Sequence, residues 1–444
     1  MSEKALSRLM EFLSIPSIST DKDYEEDMRR CSRWLEREFE SMGMMCDPFE
    51  TGGHPVVLAW TKPVPGKRTV LIYGHYDVQP VDPLSAWDSD PFSPEIRDGK
   101  IFARGATDNK GQIYAHMTGV AEALKIQGEL PVNIIFLVEG EEEIGSPNLR
   151  GFLEANRERL ACDIIVVSDT SMVAPGIGTL TYGLRGIAAM EVMVHGPKMD
   201  LHSGMYGGAV ANPATVTAQL VSTLHDENGS VAIDGFYEGV TELHPWEREQ
   251  WRNLPFNDAE LIRITGVPAL AGEAGYSGVE RIWTRPTAEV NGLTSGYQGE
   301  GTKTVIPSWA RIKLTFRLVP GQDTEHVLEL AEKHFQKHCP PSVRLEIKKG
   351  HAGKPYLFDP KHPDALAAQA ALREVFEGDI ALIREGGSIP IVETFQEILG
   401  VPTLLAGLAL PDCNAHSPNE SFLVDNFVKG IQLNQELLRA LARK

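Results

Sequence analysis

Apolar residues recur at intervals of three and four over residues 3–13 and again over residues 24–42, which predicts two amphipathic helices parted by the turn-rich stretch SIPSISTDKD. Residues 56–60 and 69–73 are short β-branched and aromatic runs that predict strands. A helical pattern from Asp108 to about Gln127 is followed by an apolar strand over 132–139, a helix over 148–160 and a strand over 163–168. Strands alternating with helices imply an α/β domain with a mostly parallel central sheet, whose reactive groups gather where the strands end.

Beyond Tyr182 the texture changes. Strands are predicted over 187–196, 310–320 and 342–350, with helices over 211–227 and 324–338, which is the pattern of an α+β unit. From Pro355 onward the chain returns to helix, short strand (402–405) and a closing helix over 421–442. The simplest account is an inserted domain, 185–355, interrupting a catalytic domain made of 1–184 and 356–444. Its borders fall in the glycine-rich passages YGLRG and GHAGKPYLFDP, where few contacts need cross.

At 444 residues the chain exceeds the size at which one core stops growing, so two domains are expected. Forty-two basic against 61 acidic side chains leave a net charge of -19, which argues against nucleic acid or an anionic membrane as partner. The five cysteines are scattered and form no CxxC pair, so neither a disulfide framework nor a thiolate zinc site is indicated. No segment approaches the roughly 18 apolar residues of a membrane span, and the N-terminus lacks the apolar core of a signal peptide, so a cytoplasmic protein is expected.

Several polar residues stand at predicted strand ends or in loops. His75 and Asp77, in GHYDVQP, follow a buried strand, and side chains two apart share a face. That pattern serves a metal ligand with its supporting carboxylate, and equally a core histidine satisfied by an aspartate. Asp108, in GATDNKG, is placed as a helix cap or as a ligand. Glu141, Glu142 and Glu143 crowd three carboxylates at the end of an apolar strand, tolerable in a solvated loop or beside cations. Asp169 ends another buried strand, and His416 lies in the polar loop DCNAHSPNE. Together they supply the oxygen and nitrogen donors suited to divalent zinc, manganese or cobalt.

In this order, GHYDVQP, WDSDPFSP, ARGATDNKG, EGEEEIGS, VVSDTS, DLHSGMYGG and AHSPNE resemble the M20 metallopeptidases, in the branch of cytosolic nonspecific dipeptidases and carnosinases. The resemblance implies a zinc-peptidase-like catalytic domain interrupted by a lid and dimerisation domain. It implies two divalent metal ions per chain, zinc foremost, one held by His75, Asp108 and Asp169 and the other by Asp108, Glu143 and His416. Asp77 would orient His75, and Glu142 would act as general base toward a metal-bridging water. His202 would stabilise the oxyanion from the neighbouring subunit of a homodimer. Arg317, Gly387 and Ser388 would hold the substrate's terminal carboxylate, with Thr304 joining from the partner.

The implied activity is hydrolysis of the peptide bond of dipeptides or short peptides with a free C-terminal carboxylate. The alternative is an N-acyl-amino-acid deacylase of the desuccinylase or deacetylase type.

Overall fold

The computed structural model describes residues 3–443. Two compact units emerge from its contacts: residues 1–182, 358–383 and 394–444 form the first, and residues 183–357 and 384–393 the second.

In the first unit the strands run in the spatial order Met45–Phe49, Val56–Trp60, Asn133–Glu139, Thr69–His75, Ile164–Val167, Thr403–Leu405 and Thr179–Leu184. The central pairings, Thr69–His75 with both Asn133–Glu139 and Ile164–Val167 and the latter with Thr403–Leu405, are parallel, and the outer ones are antiparallel. This is the expected α/β architecture with a mostly parallel central sheet. Val70 to His75 and Ile134 to Glu139 are buried without interruption, because helices cover both faces and no side can be polar. The helix Lys110–Gln127 is buried over its first eleven residues, and the helix Val424–Leu441 lies against it. Gly119 permits that approach: a Cβ there would come within 2.8 Å of the Ile431 carbonyl oxygen and the Asn434 side chain.

The register matters for the site. His75 pairs with Glu139, and Tyr73 with Val167, so three strands deliver their carboxyl ends, and the loops that follow, to one edge.

Three local expectations change. Residues 421–423 form a short strand on Lys100–Phe102, and the closing helix starts at Val424, because the Ser421–Leu423 backbone is committed to a ladder. The helix after Asn148 ends at Ala155 rather than Leu160. Met45–Phe49 is a strand that the pattern MCDPF conceals, since Pro48 is tolerated on an edge that pairs on one side alone.

The second unit is built on an antiparallel sheet in the order Thr287–Ser295, Trp309–Leu318, Gly186–His195 and Arg344–Gly353. Burial alternates strictly along Gly186–His195. Ala188, Met190, Val192 and Val194 face a core shared with Val216 and Leu220 of one helix and Val327, Leu328, Ala331 and Phe335 of another. The opposite face carries Ile187, Arg317 and Thr287 in direct register.

Residues 384–393 were expected with the catalytic domain and instead belong to this unit. The reason is polar: the buried Arg384 is paired with the buried Glu247, and Ser388 bonds Arg317 and the Arg185 carbonyl. No helix among the described residues is long and apolar enough to cross a membrane.

Candidate metal centre

The site lies in the first unit, at the edge where the parallel strands end. His75 is the last residue of its strand and is fully buried. Its Nε2 is 3.1 Å from Asp108 Oδ1 and 3.9 Å from Asp169 Oδ1. On the other side of Asp108, Oδ2 is 2.8 Å from His416 Nε2, which is also 3.4 Å from Glu143 Oε2. Potential ligand atoms of His75, Asp108 and Asp169 all fall within 4.8 Å of one another, as do those of Asp108, Glu143 and His416. Asp108 therefore presents one oxygen to each triad.

Asp77 touches more than His75. Its carboxylate is 3.3 Å from His75 Nδ1, and it also accepts the backbone N–H groups of Glu142 at 3.2 Å and Glu143 at 3.0 Å. One buried aspartate thus orients an imidazole and fastens the helical turn Glu142–Ile144. The third glutamate turns elsewhere: Glu141 accepts from Asn148 Nδ2 and His54 N–H.

Charge balance at this edge is poor. Burial pushes the Glu142 carboxyl well above its usual range, helped by Asp169, Asp108 and Glu143 and opposed by His75. Burial, with Asp108 adding, pushes Glu143 up to about 9. Asp108 is half-buried, and although that burial opposes ionisation, its bonds to His416 and His75 hold it below the ordinary carboxylate range. Burial disfavours a charged His75, but Asp108, Asp169 and Asp77 overcome this and raise it well above normal. A group of carboxylates this crowded, with imidazoles drawn toward the charged form, lacks positive charge, and divalent cations on these oxygen and nitrogen donors would supply it.

Three residues that the motifs do not single out complete the arrangement. Asn109 donates to the Ser168 carbonyl at 2.7 Å and to Asp169 Oδ1 at 2.9 Å, and Gln79 donates to Glu143 Oε2 at 2.7 Å. Glu420 is fully buried. It accepts Arg104 Nη1 at 2.8 Å and the N–H groups of Gly105 and Thr107 at 2.9 Å and of Asp108 at 3.0 Å. In sequence the available signal for Glu420 was its place at the end of AHSPNE, four residues after His416. The same loop holds Asn414, His416 and Asn419 at φ of 56°, 60° and 61°. Such left-handed backbone costs of order 1 kcal/mol or more per non-glycine residue and persists where surrounding bonds over-determine it.

Replacing Glu420 with alanine would leave the buried Arg104 unpaired. Glu420→Ala is expected to lower unfolding free energy by about 3–5 kcal/mol, measured by urea denaturation. Wild-type stability would show that Glu420 does not hold the loop.

The remaining expected site residues lie in the second unit. His202 and Thr304 are brought together because Leu201–His202 pairs with Val305–Ile306. His202 is exposed, and its Nδ1 accepts from Gly204 N–H at 3.0 Å. Arg317 Nη1 donates to Ser388 Oγ at 3.0 Å, and a Cβ on Gly387 would meet nothing within 4 Å.

Fold and site together define a metal-dependent peptidase. The model of Peptidase family M20/M25/M40 matches residues 71–440, and the chain belongs to that family. It is 32% identical to the Cys-Gly metallodipeptidase of Schizosaccharomyces pombe, over 97% of this chain and 94% of that protein. Identity to the human Beta-Ala-His dipeptidase is also 32%, over 85% of this chain and 76% of that one. A solved M20 family metallo-carboxypeptidase from Sulfolobus solfataricus superposes with a TM-score of 0.87 at 35% identity, covering all of both chains.

Proposed function

We propose that this protein is a dinuclear metallodipeptidase that hydrolyses the peptide bond of dipeptides carrying a free C-terminal carboxylate. The observation that carries the reading is Asp108, whose two oxygens face two separate donor triads. His75 and Asp169 would hold one cation with Asp108, and Glu143 and His416 the other. Zinc is assigned first, with manganese and cobalt accepting the same donors. Bound divalent cations supply Lewis acidity toward the scissile carbonyl and the attacking water.

The protein's own groups would do the rest. Glu142 takes the proton of the attacking water and returns it to the leaving amine, and its raised affinity for a proton suits both transfers. Asp77 keeps His75 and the Glu142–Ile144 turn in place. Arg317 and Ser388 grip the terminal carboxylate, with the open Gly387 beside them. His202 reaches the site of the partner in a homodimer, with Thr304 beside it.

Two dipeptidase relatives support the substrate class. A second reading, carboxypeptidase action on longer peptides, is favoured by the Sulfolobus relative. The test is a comparison of kcat/KM for the zinc-loaded and manganese-loaded protein on free dipeptides, tetrapeptides and N-acetyl amino acids. Dipeptides are expected to be preferred by at least about tenfold. Preference for tetrapeptides would establish the second reading, and preference for N-acetyl amino acids would refute both.

A further inference from the structure

Arg185 has no role in the reaction described so far, and it is bound to the turn that carries Ser388. Its Nε donates to the Gly386 carbonyl at 2.9 Å, and its own carbonyl accepts the Ser388 hydroxyl at 2.5 Å. The same hydroxyl receives Arg317 Nη1 at 3.0 Å. One residue thus fastens both ends of the three-residue turn 386–388, and Gly387 stands open between the fastened ends.

The position on the sheet explains the proximity. Arg317 is the direct register partner of Ile187 and of Thr287, on the face turned away from the apolar core. Arg185 precedes Ile187 by two residues. With Thr287, Glu289 and Ile282, it lines a cavity of about 470 Å³ within this unit.

We propose that Arg185 is a positioning residue for the carboxylate grip: it sets the geometry of the 386–388 turn against Arg317 and brings a second guanidinium charge to that turn. This inference rests on the reading of Arg317 and Ser388 as the substrate-carboxylate site. Both guanidinium groups are partly withdrawn from water, and Glu289 is the carboxylate that acts on each. Burial, and after it the neighbouring Arg317, pushes Arg185 down to about 10, with Glu289 offsetting part of the effect. Arg317 is itself lowered by burial. An incoming carboxylate relieves that repulsion, whereas a neutral amide cannot, so the pair discriminates for charge.

The experiment compares Ala-Ala with Ala-Ala amide on the metal-loaded enzyme and its Arg185→Met and Arg185→Lys variants. Arg185→Met is expected to raise KM for Ala-Ala by about tenfold or more while kcat stays within about threefold. For the amide, kcat/KM should stay within about twofold, which a merely structural defect would not allow. Arg185→Lys keeps the charge and loses the planar Nε contact to Gly386, so its KM for Ala-Ala should fall between those of the wild type and Arg185→Met.

Equal losses on acid and amide, or an unchanged KM for Ala-Ala, would overturn the proposal. If Arg185→Met does not fold, the lysine variant decides: a wild-type KM there overturns it. A wild-type enzyme that cleaves Ala-Ala without favouring it over the amide would remove the carboxylate grip itself, and this inference with it. Discrimination by the wild type that survives in both variants would remove Arg185 alone.

Discussion

Glu142→Ala should keep two metal ions per chain and lose dipeptide turnover by roughly a hundred- to ten-thousand-fold, the range contributed by a positioned acid–base group. The expectation follows from what Glu142 does and does not touch. Neither donor triad includes its carboxylate, so truncating it should leave both sets of ligands intact. Its backbone N–H is held by Asp77, an interaction that alanine retains. What disappears is a half-buried carboxyl that its withdrawal from water, with Asp169, Asp108 and Glu143 adding, makes ready to take up a proton. Because that group would act in the transition state, kcat and kcat/KM should fall together while KM changes little. Elemental analysis with steady-state kinetics decides the matter. Full activity refutes the assignment of the base, and loss of metal in parallel with activity would make Glu142 a ligand.

The second large effect concerns His202. Because Gly204 N–H donates to its Nδ1, the neutral ring carries its proton on Nε2, so that nitrogen is a donor suited to a developing oxyanion. His202→Ala is expected to lower kcat by about 10²–10³, the usual cost of one such donor. If the donor serves the neighbouring chain, His202→Ala and Glu142→Ala subunits, each inactive alone, should complement. In a mixed dimer the His202→Ala chain keeps its Glu142 and receives an intact histidine, so one of the two sites works. Co-expression with two affinity tags isolates mixed dimers for assay. Inactive mixed dimers would end the shared-site reading, and wild-type activity in His202→Ala alone would remove the residue from the mechanism.

Much of the catalytic unit was legible from residue order. Strands that are buried on both faces give continuous apolar runs, and the residues that end them, His75, Glu139 and Val167 two before Asp169, can be counted off to within a residue. A strand of the second unit was visible as the run IAAMEVMVHG, and the fold then buries alternate residues along it. Less could be seen where meaning depends on a distant partner. Residues 384–393 run from the end of the strand Ala381–Glu385 into the helix Pro390–Ile398, and what joins them to the second unit is Arg384 bonded to Glu247 and Ser388 bonded to Arg317. Glu420 is a carboxylate in a polar loop until Arg104 and three backbone N–H groups are folded onto it.

By itself, then, the sequence determined the α/β class, the inserted unit and the donor types at the strand ends, because periodicity and residue chemistry are local properties. Tertiary structure alone decided which oxygens of Asp108 face which triad, that Asp77 holds the Glu142 turn as well as His75, and that Glu141 turns away to Asn148 and His54. Apart from the bond between Glu141 and Asn148, those outcomes depend on hydrogen bonds between residues 33 to 308 positions apart, as in His75 with Asp108 and His416 with Asp108. No local pattern encodes such distances, since chain closure over that separation is set by packing of the whole sheet.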